Sequence, residues 1–487
     1  MSQQRMHKEH ENFEISETQT TRVKVLRQDR IDMEPGQFFL HLGKMQFEVV
    51  NISAFGIAVT IDEAQLPKGD IPKEFLGAKL THKDLELQDL HLREVRRLTK
   101  PSGWTEFAYE VIGEPVRIEF IHGLEAASQV IRKQKEEQTN EHLVPENFRR
   151  HVYEIKDWLE SFKTKVAEFE LTISNEDARS RAVFEQGFMA LTSKFLKESF
   201  PTKHSEIGQA IKGLTAEQYK ASAEFFRKQL KHLIYDAPFS KRAFEKPKGY
   251  AGDYEMMNHL YRDEFVGPHL FAKCLHNYFI NEPAGQAVRN RAFYLKKKLS
   301  EKFAATPKTT PLKFLSVASG PAREVQLFLE TPFAKEGRKA EFVCLDQDED
   351  SLKFAQRSIR TVDREIQSGF GFRFVNKAIK NVIGKGLDET EFDVIYSAGL
   401  FDYLSEPVAQ MAATRLFNSL KPGGSLIIGN FNLFNPTLPL MDLAWDWHLI
   451  YRSPEDLAKM FAPVGGSITV EQEDLGINLF CVIRKPE

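Results

Sequence analysis

Two neighbouring stretches decide how the C-terminal half of this chain folds: Leu315–Val325, which reads LSVASGPAREV, and Phe342–Asp348, which reads FVCLDQD. Each stretch begins with apolar, β-forming residues and ends in small or acidic ones. In the first, the turn SGPA leads directly into residues with helical spacing. The pattern predicts a strand, a tight turn and a helix, followed by a second strand that ends at Asp346.

Strands and helices continue to alternate after these stretches. The segments with strand character are KFLSVAS, EFVCLD, FRFVN, FDVIYS, SLIIGN, SITVEQ and NLFCVIRK, with helices expected from about Ala322, from about Glu349, over 409–420 and around Trp445. Alternation of this kind predicts an α/β doubly wound, Rossmann-like sheet of seven strands. Only EDLGI joins the last two strands, and such a short connection makes an antiparallel hairpin because a parallel crossover needs about a dozen residues.

The carboxyl ends of the first four strands carry the candidate ligand-binding residues. Ligands of doubly wound sheets bind at this edge, where a small-residue turn lets them approach the backbone. A carboxylate at the position of Asp346 can accept hydrogen bonds from both hydroxyls of a ribose, although the same side chain can also cap the following helix. A polar side chain after the third strand can contact an adenine, and small residues after the fourth strand can form the floor of the site.

The order of the pieces LSVASGPAREV, FVCLDQD, FDVIYSAGLFDYL and LKPGGSLIIGNF resembles the class I S-adenosylmethionine-dependent methyltransferases over about 175 residues. The resemblance implies S-adenosylmethionine as cofactor. Ala318 and Ala322 stand where this family usually has glycines, Ser316 stands where an acid is common, and Arg323 is a candidate for holding the carboxylate of the cofactor. The candidate cofactor-binding residues are Tyr250, Asp253, Ala318, Ser319, Gly320, Arg323, Asp346, Gln347, Asn376, Lys377, Ser397 and Gly399.

Two further segments carry a narrower resemblance. KPKGYAGDYEMMNHLY (Lys246–Tyr261) and GNFNLFNPTLPLMDLAWDWHLIYRSPEDL (Gly429–Leu457) are similar to the 3-hydroxypalmitate methyl ester biosynthesis proteins. This resemblance implies a small or lipid-like acceptor, the carboxylate of a hydroxy fatty acid. The GYAGDY loop, with Tyr250 and Asp253, is expected to form a lid over the site. The alternative is a simple turn in which Asp253 caps the next helix.

The segment around Trp445 and Trp447 carries the candidate catalytic residues. If it is helical, Trp445, His448 and Arg452 share one face. Arg452 could then hold an acceptor carboxylate, His448 could donate to it or act as a base, and Tyr451 lies beside them. The alternative is an aromatic helix packed on the sheet, with Arg452 in a structural ion pair.

The N-terminal part has a different pattern. Residues 1–20 are polar and are expected to be a flexible arm, whereas FFLHL, MQFEVVNI, GIAVTI, TEFAYEVI and VRIEFI predict a small antiparallel β-barrel or sandwich over 21–123. Its stretch VVNISAFGIAV, preceded by Arg22, Arg27 and Arg30, resembles the PilZ domain, which implies cyclic di-GMP as ligand. The candidate ligand residues are Arg27, Arg30, Asn51, Ser53 and Gly56. Two residues separate Arg27 from Arg30, one fewer than in the corresponding motif of that family. The alternative is a barrel that has lost its ligand.

The whole chain supports a multidomain enzyme. A helical connector is expected over 124–240 and the methyltransferase domain, with a helical lid, over 241–487. A formal net charge of −3 does not suggest nucleic acid as partner, and three cysteines without a CxxC pair suggest neither a disulfide nor a metal site. No transmembrane segment is expected, the predicted location is the cytoplasm, and the connector is a candidate homodimer interface.

Two other functions remain open from the sequence. In one, the chain is a cyclic di-GMP effector whose methyltransferase-like domain is not catalytic. In the other, it methylates a protein, since FDVIYSAGLFDYLS also resembles the chemotaxis receptor methyltransferases.

Overall fold

The computed structural model describes residues 31–33, 35–62, 66, 72–83, 85–99 and 103–487. Two compact units divide the chain after Glu136. The domain boundaries predicted at 20/21, 123/124 and 240/241 stay predictions. Within the described ranges, no helix is both long and apolar enough to cross a membrane.

The first unit is an antiparallel barrel. Its strands are β1 Ile31–Asp32, β2 Phe38–Leu42, β3 Met45–Ser53, β4 Gly56–Asp62, β5 Glu74–His82, β6 Leu85–Thr99 and β7 Trp104–Ile112. Six of them pair in the order β3-β2-β5-β6-β7-β4, and pairing of β3 with β4 closes the barrel, while β1 adds to β3. In β7 every second side chain is buried, which is the alternation that a barrel wall requires. The predicted multidomain architecture with an N-terminal antiparallel barrel is confirmed.

Two local predictions in this unit were wrong. Strands β5 and β6 were not predicted, because charged residues such as those of LREVRRL face outward and hide the apolar alternation. VRIEFI is not a strand. Helix α1, Ile118–Asn140, begins inside it, and Ile118, Ile121 and Leu124 contact the barrel core at helical spacing.

The second unit starts with a layer of helices. They are α2 Glu146–Thr172, α3 Ala178–Ala210, α4 Ala216–Ile234, α5 Pro238–Glu245, α6 Tyr254–Arg262, α7 Leu270–Ile280 and α8 Pro283–Ala305. Their apolar faces form one core together with residues of the 431–447 segment. The helices of the predicted connector therefore belong to the same core as the walls of the site described below.

The second unit continues as a seven-stranded sheet. Its strands are β8 Leu312–Val317, β9 Ala340–Asp346, β10 Gly371–Asn376, β11 Phe392–Ser397, β12 Leu420–Phe431, β13 Ser467–Gln472 and β14 Asn478–Arg484. The spatial order is β10-β9-β8-β11-β12-β14-β13, and β14 runs antiparallel to both of its neighbours. The helices between them are α9 Arg323–Leu329, α10 Glu349–Ile366, α11 Ile379–Lys385, α12 Glu406–Asn418, α13 Leu438–Leu443 and α14 Pro454–Phe461. Separate apolar clusters cover the two faces of the sheet.

The helix predicted around Trp445 is wrong. Helix α13 ends at Leu443, and no helix follows until α14. Asp446 has a φ of 49°, in the left-handed region, and Trp445 and Trp447 are both buried on either side of it, so the chain here is irregular and not helical. The helical layer holds this segment in place: the Tyr235 hydroxyl donates to the Ala444 carbonyl at 2.6 Å.

Candidate active site

A cavity of about 570 Å³ lies at the carboxyl ends of β8, β9 and β11, where the helical layer covers the sheet. This volume is within the range of small-molecule sites. Eight of the residues predicted to bind the cofactor line it: Tyr250, Ala318, Ser319, Gly320, Asp346, Gln347, Lys377 and Gly399. Seven predicted site residues do not line it: Asp253, Arg323, Asn376, Ser397, His448, Tyr451 and Arg452.

Asp346 is the last residue of β9 and is only 7% exposed. Its Oδ2 accepts a hydrogen bond from the Gly320 N–H at 2.8 Å, and its Oδ1 accepts one from the Asp348 N–H at 2.9 Å. Burial raises the pKa of its carboxyl group, and these N–H groups oppose that effect. Each oxygen still has acceptor capacity, so the carboxylate can receive two hydroxyl groups from a ligand.

The turn between β8 and α9 has a left-handed backbone. Ala318, Gly320 and Ala322 have φ values of 51°, 55° and 50°. The left-handed conformation costs an alanine about 1 kcal/mol, so the two alanines replace the usual glycines at some energetic cost. The turn still brings Ser319 and Gly320 to the cavity wall.

Arg291, on α8, is a cavity residue that the sequence analysis missed. The residue is 8% exposed, and its Nη2 donates to the Met257 sulfur at 3.2 Å. A Cβ added to Gly399 would lie 2.9 Å from its Nη1, so the guanidinium lies directly against the end of β11. Its Nε has no hydrogen-bond partner among the residues that the structure describes. A buried guanidinium with unused donors can bind a carboxylate of a ligand.

Glu324, in the first turn of α9, is the second missed charge. Its Oε1 accepts hydrogen bonds from the Tyr396 hydroxyl at 3.0 Å and from the Ser316 hydroxyl at 3.2 Å. Burial raises the pKa of Glu324, while these hydroxyls and Arg291 oppose that effect. The residue lines the cavity, so it brings a carboxylate to Ser316, the position at which the sequence analysis noted a missing acid.

Asp402 lies in a short 3-10 helix, Phe401–Tyr403, directly after β11. It is 2% exposed, and its Oδ1 accepts a hydrogen bond from the Phe431 N–H at 2.6 Å. Burial raises its pKa to about 6, an effect that Arg291 and Arg452 oppose. The next residue, Tyr403, accepts a hydrogen bond from the Trp447 indole at 2.8 Å, which joins the strand end to the outer wall of the cavity.

The GYAGDY loop lies over the cavity, but its two predicted residues have different roles. Tyr250 lines the cavity. Burial is the main cause that raises the pKa of its hydroxyl, and the negative charge of Asp346 raises this pKa further. Asp253 is the N-cap of α6 and forms an ion pair with Arg242, whose Nη2 lies 2.8 Å from Oδ2. The capping alternative therefore holds for Asp253, and cofactor contact is not supported for it.

Three other predicted residues do not line the cavity. Asn376 donates from Nδ2 to the Gln347 carbonyl at 3.0 Å, so it connects the ends of β9 and β10 instead of pointing into the cavity. Arg323 donates to the Gln326 side chain at 3.1 Å. Ser397 is fully buried, and its hydroxyl has no hydrogen-bond partner among the described residues. The role predicted for Arg323 is instead available to Arg291.

The predicted catalytic residues do not meet at the cavity. His448 is exposed and interacts with Asp442 and Asp446, whose carboxylates raise its pKa to about 9. Arg452 is buried, and its guanidinium donates to the carbonyls of Phe401 and Leu404 at 2.9 and 2.6 Å.

Tyr451 does not line the cavity either. Its hydroxyl oxygen lies 3.4 Å from the side-chain amide nitrogen of Asn435. The shared helical face on which the catalytic assignment rested is absent, because residues 444–453 contain no helix. Trp445 and Trp447 do line the cavity.

The candidate ligand motif of the barrel lies in the hairpin of β3 and β4. Ser53 pairs with Gly56 across the hairpin, its hydroxyl donates to the Gly56 carbonyl at 3.3 Å, and Asn51 pairs with Ala58. Arg22, Arg27 and Arg30 lie outside the described residues.

Comparison with known proteins gives one family. Residues 309–464 match the model described as a methyltransferase domain. No curated protein matches the chain. The matched stretch runs from before β8 to the end of the helical turn after α14, so it contains Glu324, Asp346 and Asp402 but not Arg291.

Three of the similar solved structures illustrate the level of likeness. One is described as a possible exported protein from Bordetella parapertussis, with 17% identity, 48% of this chain and 80% of that chain covered, and a TM-score of 0.38. The CurJ carbon methyltransferase is 12% identical, with 59% of this chain and 80% of that chain covered and a TM-score of 0.36. The magnesium protoporphyrin IX methyltransferase from Synechocystis PCC 6803, with bound S-adenosylhomocysteine, is 12% identical, with 42% of this chain and 87% of that chain covered and a TM-score of 0.32. At these TM-scores none of the likenesses carries weight for function.

Proposed function

We propose that the second unit is an S-adenosylmethionine-dependent methyltransferase that acts on a small acceptor in the 570 Å³ cavity. One observation carries the proposal. The cavity holds the complement of an adenosyl amino acid, with Asp346 for a ribose, Arg291 for a carboxylate and Glu324 for an ammonium group. The family-model match over residues 309–464 supports the same conclusion.

The residues divide between the two ends of the cofactor. Asp346 would accept the ribose hydroxyls, and Gln347, Lys377 and Ile379 line the cavity beside it, where the adenine would lie. At the other end, Arg291 would hold the α-carboxylate through a charge-assisted hydrogen bond, and Glu324 would hold the α-ammonium group. When bound, the cofactor supplies a methyl group on a positively charged sulfur.

The chain itself supplies position and a water-poor environment. Tyr250 and Gly252 of the GYAGDY loop and Tyr403 and Trp447 close one wall of the cavity. A Cβ on Gly252 would lie 3.0 Å from the Tyr403 hydroxyl and 3.2 Å from the Trp447 ring, so this wall is closely packed. In-line methyl transfer depends mainly on such positioning and on exclusion of water.

Replacing Asp346 by alanine tests the ribose assignment. Hydrogen bonds to charged groups contribute about 1.5–3 kcal/mol each, so losing two should weaken S-adenosylhomocysteine binding roughly 100-fold or more. Isothermal titration calorimetry measures the loss. The control Glu349→Gln removes an exposed acid at the start of α10 and should leave affinity within threefold. Unchanged binding in Asp346→Ala would remove Asp346 from this role.

The resemblance implies the carboxylate of a hydroxy fatty acid as acceptor, and the cavity lining bears on the apolar chain of such a molecule rather than on its head group. An apolar chain fits the cavity, whose helical side presents Phe239, Phe279, Met441 and Trp445. A protein acceptor, the alternative, would have to insert a side chain into the cavity past Tyr403 and Trp447. The apolar walls favour the small molecule.

We further propose that the barrel regulates the chain by binding cyclic di-GMP. What supports this is the sequence resemblance and the position of Asn51, Ser53 and Gly56 in one hairpin. Calorimetry with cyclic di-GMP should show micromolar or tighter binding that Arg27→Ala together with Arg30→Ala abolishes. A wild-type protein that binds S-adenosylhomocysteine but not cyclic di-GMP would contradict this part alone.

A further inference from the structure

The helical side of the cavity contains an acidic residue that the cofactor assignment leaves unused. Glu282 immediately precedes α8, is 6% exposed and lines the cavity. As the N-cap residue, it could accept hydrogen bonds from the helix, but its side chain makes no capping bond. The carboxylate interacts with the neutral hydroxyls of Tyr278 and Thr437, so a partner that neutralises its charge would have to come from a ligand in the cavity.

The surroundings of Glu282 contain no positive charge to neutralise it. Within the described residues, the one basic side chain within 4.0 Å is His204, whose Nδ1 is 3.7 Å from Oε2. Burial lowers the pKa of His204 to about 3, so it is neutral near pH 7. Burial raises the pKa of Glu282 to about 7, although the hydroxyls of Tyr278 and Thr437 favour its ionised form.

Aromatic side chains line the cavity on the same helical side as Glu282. Phe279 lies one turn before it, and the Trp445 ring contacts both Phe279 and Phe239, with centroids 5.6 and 5.2 Å apart. The Thr437 hydroxyl accepts a hydrogen bond from the Ala284 N–H at 3.1 Å, which places the segment before α13 at the same end of α8. Glu282 therefore lies on the helical side of the cavity, where Phe239, Phe279 and Trp445 also line it.

The charges around the cavity disfavour a carboxylate acceptor. Three basic side chains line it in the described structure: Lys248, Arg291 and Lys377. Lys248 is paired with acids of α10, and Lys377 is paired with Asp388 at 3.0 Å. Arg291 is the cation assigned to the cofactor. An acceptor carboxylate would thus lie near the carboxylate of Glu282 without a cation to neutralise it. A carboxylate acceptor is also already ionised, so it would give Glu282 no proton to accept.

We propose that the acceptor is an apolar molecule bearing an amine or hydroxyl group, and that Glu282 binds this group and accepts its proton. This inference rests on the proposed methyltransferase function. As the bond from the acceptor oxygen or nitrogen to the methyl carbon forms, the methyl–sulfur bond breaks and its electron pair stays on sulfur. The proton released by the acceptor goes to Glu282 and then to water when the product leaves.

Binding of three probes with the same alkyl chain tests the chemistry of the head group. Octylamine, octan-1-ol and octanoate are titrated at pH 8 into full-length protein saturated with S-adenosylhomocysteine. The amine and the alcohol should bind at least tenfold more tightly than octanoate. Glu282→Gln should weaken octylamine binding at least tenfold, whereas Glu301→Gln, on the exposed side of α8, should change nothing. The inference would be overturned by any of three results: octanoate binds most tightly, the order of the three affinities is unchanged in Glu282→Gln, or no probe binds.

Stability separates this role from a structural one. The pKa of Glu282 in the folded protein lies above the ordinary value of 4.5, so its ionisation destabilises the fold as the pH rises from about 4.5 to about 7. At pH 8, Glu282→Gln should melt at the same temperature as the wild type or higher. A large drop in melting temperature would instead assign the carboxylate to the fold.

The methylated product gives a second, independent readout. Wild-type protein is incubated with methyl-labelled S-adenosylmethionine and an organic extract of cells, and the product is treated with mild alkali. Ethers and methylamines keep the label, whereas esters release it as methanol, which would overturn the inference. General base catalysis contributes about 10²–10⁴-fold, so Glu282→Gln should slow transfer at least 100-fold while binding S-adenosylhomocysteine normally. A wild type that binds no S-adenosylhomocysteine would refute the proposed function, whatever the probes show.

Discussion

Replacing Arg291 by methionine is expected to weaken the binding of S-adenosylhomocysteine about 100-fold or more. Methionine keeps much of the side-chain volume but removes the guanidinium that lies against Gly399 at the end of β11. Loss of one partner of a buried charge pair costs about 2–5 kcal/mol, and every 1.4 kcal/mol is a factor of ten in affinity. Calorimetry on the purified variant measures the effect directly.

Two comparisons isolate the interaction with the carboxylate. 5′-Methylthioadenosine lacks the amino-acid end, so wild type and Arg291→Met should bind it with similar affinity. Arg323→Met, at the arginine that the sequence favoured, should bind S-adenosylhomocysteine within threefold of the wild type, because Arg323 contacts Gln326 and not the cavity. If Arg323→Met shows the larger loss, the assignment of the two arginines is reversed.

Replacing Gly429 by alanine should strongly destabilise the second unit. Gly429 lies in β12 beside the end of β11, and its added Cβ would overlap the carbonyl oxygen of Ala398 and lie 3.3 Å from that of Ser397. Both are backbone atoms, so the strand ends must separate. Overpacking costs about 1–3 kcal/mol and occasionally more, and each kcal/mol lowers the melting temperature of a unit of this size by roughly 1.5 °C. We expect a decrease of about 2–5 °C by differential scanning calorimetry.

Gly384→Ala is the matched control for this substitution. Gly384 lies in α11, and an added Cβ there would meet nothing within 4 Å. Alanine is favoured over glycine in a helix by about 1 kcal/mol, so this variant should be as stable as the wild type or slightly more so. Equal melting temperatures for the two variants would show that the close approach of β11 and β12 is not rigid.

The sheet and its nucleoside end were predictable because their signals are local. Apolar strands such as FVCLD and FDVIYS are buried whatever surrounds them, and Asp346 follows its strand directly in sequence. The hairpin of β13 and β14 was predictable for the same reason, since its connection is too short for another topology. In the barrel, β5 and β6 escaped detection because their outward side chains are charged and the inward ones are few.

The amino-acid end of the site was not predictable from local pattern. Arg291 reaches the cavity only because α8 packs on one face of the sheet and its first half lies at the cavity. Nothing in NRAFYL distinguishes this residue from a surface arginine. Glu324 lies eight residues after Ser316 in the sequence. The fold brings its carboxylate next to Ser316, where the missing acid was noted. The segment after α13 was misassigned because Trp445, His448 and Arg452 fit a helical period, whereas hydrogen bonds with Tyr235 and Ser240 hold it in a non-helical conformation.

The cavity is assembled from two sources that can change independently over evolutionary time. The strand ends carry Asp346 and Gly320, while Glu282 and Phe279 come from helices that precede the sheet. Substitutions in those helices can retune which compound is modified without disturbing the nucleoside contacts. Descendants of a common ancestor can therefore keep the same donor and diverge in what they modify, and a match confined to residues 309–464 does not distinguish among them.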